Sequence, residues 1–142
     1  MVRKFNVAVV GATGAVGKTM LSLLQEREFP AGQIHAVASS RSEGKNIAHG
    51  NGNLRVRGLE SFDFTAVDIA LFSPGSAVSK IYAPLAADSG CVVIDNTSCF
   101  RNDSAIPLVV PEVNPEALEG FQKRNIIANP NCSTIQMVVA LK

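Results

Sequence analysis

Net charge is almost absent from this sequence: 13 lysines and arginines face 12 aspartates and glutamates, for a formal +1 at neutral pH. The basic residues are scattered, so there is no electrostatic footprint for nucleic acid or for an acidic membrane. Long hydrophobic runs are also missing. No apolar stretch approaches the roughly 20 residues needed to cross a bilayer. The N-terminal MVRKFNVAVVGATG has two basic residues and a short apolar stretch. Asn6 interrupts it, and it runs directly into a glycine motif, so it reads as a strand and not as a signal peptide. Cysteine is scarce: Cys91, Cys99 and Cys132 are an odd number with no CxxC pair. That argues against a disulfide framework or a zinc site and for a reducing, cytoplasmic setting. Histidine is limited to His35 and His49. No repeat, low-complexity tract or linker is visible.

What is present suits one ordinary domain. A chain of 142 residues with 46% apolar content can bury a real core. Short apolar runs alternate with helical periods. Residues 5–10 (FNVAVV) form a first strand, and residues 15–27 carry Val16, Met20, Leu23 and Leu24 at helical spacing. Residues 29–32 break that helix, and residues 34–38 form a second strand. Residues 41–59 are polar and glycine-rich, with Asn51-Gly52 as a hairpin turn. Residues 67–72 are a third main strand, followed by a helix to about Asp88 that Gly90 stops. Residues 91–94 (CVVI) are a fourth strand, and residues 108–110 and 126–128 are two more. The pattern predicts an α/β, Rossmann-like, mostly parallel sheet with helices on both faces. Strands such as CVVI lack alternation, as expected when both faces are covered.

Gly11-Ala12-Thr13-Gly14-Ala15-Val16-Gly17 closes the first strand and opens the first helix. Glycines there permit a tight turn and a close approach to a pyrophosphate, while free N–H groups at the helix start face the anion. The spacing is GxxGxxG, a variant of the dinucleotide fingerprint. An ordinary strand-to-helix turn would also use glycine; the position at the first strand and first helix favours the dinucleotide. An NAD-type site wants an acid about 20 residues later. Residues 36–40 contain none, and the strand runs into Ser39-Ser40-Arg41-Ser42. Arginine and hydroxyl groups suit a 2′-phosphate, which favours NADP.

Two further motifs end strands at the same sheet edge: Ser73-Pro74-Gly75-Ser76 and Asp95-Asn96-Thr97-Ser98. Ligands of open α/β sheets gather there, although each motif alone could be a cap or a turn. Cys132, in NPNCST, is predicted at the start of a helix beginning near Ser133. The dipole and N–H groups of a helix start favour a thiolate and could hold an oxyanion formed on attack at a carbonyl. The alternative is a small buried hydrophobe at a cap. Cys91 reads as core. The histidines are poorly placed for catalysis. Arg101 is a candidate anchor for phosphate or carboxylate, or else a partner for Asp103.

In order along the chain, GATGAVGKTML, SSRSEGK, FSPGSAVS, DNTSCFR, PLVVPEVN and NPNCSTIQ resemble the bacterial type of aspartate-semialdehyde dehydrogenase. The resemblance spans essentially the whole chain, and NPNCST with PLVVPEVN is its specific part. A related family, N-acetyl-gamma-glutamyl-phosphate reductase, shares the plan but differs around its cysteine. The resemblance implies NADP-dependent reductive dephosphorylation of L-aspartyl 4-phosphate, on the route to lysine, threonine, methionine and diaminopimelate. It implies Cys132 as the acyl-thioester nucleophile. Gly11, Thr13, Gly14, Ala15 and Val16 would meet the cofactor, Arg41 and Ser42 its 2′-phosphate, and Ser73 and Gly75 would line its cleft. Arg101 would bind the substrate phosphate, with Asn131 beside the thiol. Family members are more than twice this long and act as homodimers or homotetramers. Their second half carries a glutamine, a substrate-carboxylate arginine and the acid/base histidine. Residues 1–131 are therefore read as the NADP-binding domain, and 132–142 as the nucleophile and first helix of a catalytic domain. The rival readings are an inactive NADP-binding module and a reductase of another acyl phosphate.

Overall fold

The computed structural model describes residues 2–142. The apolar run Phe5–Val10 forms strand β1, and the helical period behind it forms α1 (Ala15–Glu26). Then follow β2 (Ala31–Ala38), β3 (Asn46–His49), β4 (Gly52–Arg55), β5 (Arg57–Gly58) and β6 (Ile69–Phe72). Helix α2 (Ser76–Asp88), β7 (Val92–Asp95), β8 (Ile126–Ala128) and α3 (Cys132–Leu141) complete the order.

Six strands make one sheet in the order β5-β2-β1-β6-β7-β8, and every neighbouring pair is parallel. Counted along the chain, this is the 3-2-1-4-5-6 order of a dinucleotide-binding fold. The chain leaves β1 toward β2 through α1 and later returns to the other side of β1 as β6. The strand order therefore reverses between β1 and β6, and a crevice opens beyond their carboxyl ends.

Alternation along β1 explains how both faces are filled. Ala8 and Val10 join Ala70, Phe72 and Val93 beneath Ala83, Ala86 and Ala87 of α2. Val9 points the other way and joins Ala36, Ala38 and Leu21 of α1. Three alanines on one stripe of α2 let it lie close to the sheet. Leu71 and Ile94 face the α1 side but remain half-exposed, because α1 sits over β1 and β2.

Several boundaries differ from the sequence expectation. The hairpin β3–β4 turns at Gly50-Asn51, with His49 opposite Gly52 and Gly50 at φ 58. A glycine at the first central position suits a type II′ turn, so the pairing slips one residue from the Asn51-Gly52 choice. The fourth main strand starts at Val92, because the Cys91 N–H donates to Ala86 O at the end of α2. Residues 108–110 form only a bridge from Leu108 to Ala128. Asn114 ends that ladder: its Oδ1 accepts from the Val110 N–H (2.8 Å) and its Nδ2 donates to Leu108 O (2.9 Å). A 3-10 helix over Pro115–Lys123, with no buried residue, had no counterpart in the sequence reading. Helix α3 is apolar, yet none of its residues is buried.

Candidate functional site

The β1–α1 loop turns on glycines that play different parts. Gly11 has φ 87, and a Cβ there would lie 2.5 Å from Ser73 O. A Cβ on Gly17 would run into the carbonyl of Gly11 and the Cα of Ala12. These two glycines are demanded by the protein's own packing. Gly14 is not: its backbone is extended, and its Cβ would meet only Gly11 O, at 3.4 Å. Gly14 instead borders open space. With Gly11, Thr13, Ala38, Ser39, Arg41, Ser73 and Pro74 it lines a cleft of about 380 Å³ beyond the β1 and β6 ends. No side chain caps α1 and no acid lies in its first turn. Its leading N–H groups are therefore available to an anion.

Of the expected cofactor residues, Gly11, Thr13, Gly14, Arg41 and Ser73 line this cleft. Ala15 and Val16 open α1 beside it and are exposed. Ser42 closes a short 3-10 turn over Ser40–Ser42, half-buried behind Arg41. Gly75 caps α2 at φ 96 with nothing near its Cβ position. These four flank the cleft and do not line it. Leu59, Val78 and Tyr82 give the cleft an apolar wall. Glu60 also lines it, and Glu60 Oε1 accepts a hydrogen bond from the Ser40 N–H at 3.3 Å. Hydrogen bonds from its own backbone N–H and from Ser40 hold the Glu60 carboxyl below the usual range. The residues fit a dinucleotide: glycine backbone, an open helix start, an apolar wall, and an arginine at the β2 end.

The same edge carries the cysteine. Asn131 is the N-cap of α3, and its Oδ1 accepts from the Ser133 N–H at 2.9 Å. That cap places Cys132 at the first helical position, exposed. The other thiols are unlike it. Burial pushes the Cys91 thiol up to about 12, with Asp68 adding to the effect. Burial and then Asp95 raise Cys99, against a smaller opposing pull from Lys80.

Arg101 is not paired with Asp103, whose carboxylate lies 3.9 Å from Arg124. Arg101 Nε donates to Asn129 O (2.9 Å) and Nη2 donates to Asn96 O (3.1 Å). Asn129 Nδ2 in turn donates to Asn96 Oδ1 at 2.6 Å. The loop after β7 and the loop carrying Cys132 are thus laced together around one half-buried guanidinium. Beneath them Asp95, fully buried, accepts from Ser79 Oγ (2.9 Å), Thr97 N (3.1 Å) and Thr97 Oγ1 (2.8 Å). Sequence reasoning marked the edge motif at Asp95 but not the link from Asn96 to Asn129. His35 lies in β2 with its ring edge-on to Phe62 at 5.5 Å, and His49 in the hairpin. Burial, and then Arg57, lower the His35 pKa.

Residues 6–121 match the family model described as semialdehyde dehydrogenase, NAD binding domain. The chain belongs to the semialdehyde dehydrogenase family. Over all 142 residues it is 62% identical to aspartate-semialdehyde dehydrogenase 2 of Vibrio cholerae, of which it covers 42%. The chain therefore spans less than half the length of this semialdehyde dehydrogenase. A Vibrio cholerae crystal structure of aspartate semialdehyde dehydrogenase II complexed with ASA superposes with a TM-score of 0.96 at 62% identity. That match covers 99% of this chain and 46% of the other. The Candida albicans enzyme with NADP superposes with a TM-score of 0.78 at 25% identity, covering 99% and 46% of the two chains. A nicotinamide dinucleotide is the cofactor class of this family domain, and among the described residues no helix is long and apolar enough to cross a membrane.

Proposed function

We infer that this chain is the NADP-binding and nucleophile-bearing part of an aspartate-semialdehyde dehydrogenase. The whole enzyme would convert L-aspartyl 4-phosphate to L-aspartate 4-semialdehyde, releasing inorganic phosphate, on the route to lysine, threonine, methionine and diaminopimelate. The observation that carries this reading is the placement of Cys132. It is the one exposed cysteine, at the first position of a helix, on the sheet edge that also forms the glycine-loop cleft.

Each residue then has a task. Gly11, Thr13, Gly14, Ala15 and Val16 cradle the pyrophosphate at the start of α1. Arg41 and Ser42 take the 2′-phosphate, and Ser73 and Gly75 border the nicotinamide side. The Cys132 sulfur attacks the acyl carbon, a C–S bond forms, and the C–O bond to phosphate breaks. The leading N–H groups of α3 stabilise the oxyanion of that step. Arg101, held on one side by two carbonyls, offers its remaining N–H donors to the phosphate, and Asn131 orients the thiol by fixing the helix start. The chemistry a bound nicotinamide supplies is hydride transfer to the thioester carbon. Breaking the C–S bond then frees the aldehyde and restores the thiol.

Residues 1–131 are the nucleotide domain on this reading, and 132–142 open the catalytic one. The acid/base histidine is neither His35 nor His49, which lie in β2 and the hairpin. The 142-residue chain is accordingly expected to bind cofactor and turn over hardly at all. The test is phosphate-dependent reduction of NADP with L-aspartate 4-semialdehyde, using a protein of the relatives' full length that carries this chain. Turnover that disappears in Cys132→Ser supports the assignment; turnover that survives the substitution overturns it.

A further inference from the structure

The cofactor reading rests partly on the lack of an acid at the end of β2. The fold supplies one from elsewhere. Glu60 stands in the 3-10 turn Leu59–Ser61 that follows β5, and β5 pairs with β2 through Val37–Arg57 and Ala38–Gly58. That pairing brings Glu60 to the end of β2. There its carboxylate lines the cleft beside Ser39 and Arg41 and accepts from the Ser40 N–H at 3.3 Å. The corner therefore holds both devices by which such folds read the adenosine ribose: a carboxylate that accepts from a 2′-hydroxyl, and an arginine that meets a 2′-phosphate.

Three observations make this more than a surface charge. Glu60 is not in an ion pair, since Arg41 and Glu60 share no contact among the salt bridges of the described residues. Its other oxygen, Oε2, takes part in no side-chain hydrogen bond among the described residues. And the N–H it occupies belongs to the same Ser39–Ser42 turn that a 2′-phosphate would use. A phosphate entering there meets a carboxylate already seated on one of the donors. A ribose hydroxyl meets a carboxylate with acceptor capacity to spare.

We propose that Glu60 is a cofactor-specificity residue: it supports binding of the unphosphorylated ribose of NAD(H) and holds down the advantage that Arg41 gives NADP(H). The corner is then tuned toward use of both cofactors. This rests on the dinucleotide reading of the cleft and deepens it.

The experiment is a pair of fluorescence titrations, NADPH and NADH, on the 142-residue chain as wild type, Glu60→Gln and Glu60→Ala. Circular dichroism confirms that each is folded. Glu60→Gln keeps an acceptor for Ser40 but removes the charge. It is expected to tighten NADPH roughly fivefold, the scale of one solvent-screened charge contact with a phosphate, and to leave NADH equal or weaker. Glu60→Ala is expected to weaken NADH about threefold or more through loss of the ribose acceptor. If the NADH-to-NADPH ratio is the same in all three proteins, the proposal is overturned while the cofactor reading stands. A turn-pinning role alone would give that result, with both nucleotides weakened together in Glu60→Ala. A folded wild-type chain that binds neither nucleotide overturns the cofactor reading and the proposal together.

Discussion

Replacing Gly17 by alanine sets two effects against each other. In an exposed helix interior the change would stabilise by about 1 kcal/mol through propensity. Here the new methyl would overlap the Gly11 carbonyl and the Ala12 Cα, which are backbone atoms of the loop under α1. Neither can swing aside as a side chain tip can. Overpacking of this kind costs about 1–3 kcal/mol, and contact with backbone belongs at or above the upper end. The net effect is a loss of about 2 kcal/mol. With a urea slope near 2 kcal/mol per molar for a domain of this size, the midpoint falls by about 1 M. Gly14→Ala is the matched control. Its Cβ meets one oxygen at 3.4 Å, so the fold loses no more than about 1 kcal/mol, chiefly as a poorer cap. The methyl projects from a residue lining the cleft, so nucleotide binding falls at least tenfold. Urea titration by circular dichroism with nucleotide titration on both variants checks the pair. A Gly17→Ala protein as stable as wild type would refute the steric argument. Undiminished binding by Gly14→Ala would refute the role given to that glycine.

Three other expectations follow from the same geometry. Iodoacetamide at neutral pH should modify Cys132 first and Cys91 only on unfolding, as peptide mass spectrometry would report; early modification of Cys91 would contradict its burial. Asp95→Ala should cost about 3 kcal/mol in urea denaturation, because Ser79 and Thr97 lose the acceptor for their buried donors; a change below 1 kcal/mol would mean that water or a rearranged loop replaces it. His35 has a folded pKa lowered from 6.5, so its contribution to stability is complete above that pH and is lost as pH falls toward the folded value. His35→Gln should flatten that part of the stability–pH curve; an unchanged slope would assign it to other groups.

The main strands and their parallel arrangement were legible because buried parallel strands leave continuous apolar runs, and residues 5–10 and 91–94 are of that kind. Their ends were less so, since main-chain partners decide them. Asp95 looks like a loop residue but completes β7, because its carboxylate is satisfied inside by Ser79 and Thr97. Residues 108–110 look like a strand but lose their ladder to the Asn114 side chain. The glycine loop, Arg41 and the exposed Cys132 were readable from local chemistry. Glu60 was not, because no local pattern announces that β5 returns beside β2. The clasp of Arg101 on Asn96 and Asn129 was hidden for a similar reason: its members lie up to 33 residues apart. Helix α3 is an apolar run in sequence, yet it leaves Met137, Val139 and Leu141 exposed.

The most direct test of the account is calorimetric titration of the 142-residue chain with NADPH, run beside Arg41→Ala. The account predicts one saturable site, with Arg41→Ala weakening NADPH at least tenfold and NADH much less. A folded chain that takes up no NADPH, or an Arg41→Ala protein that binds both nucleotides as wild type does, would contradict it.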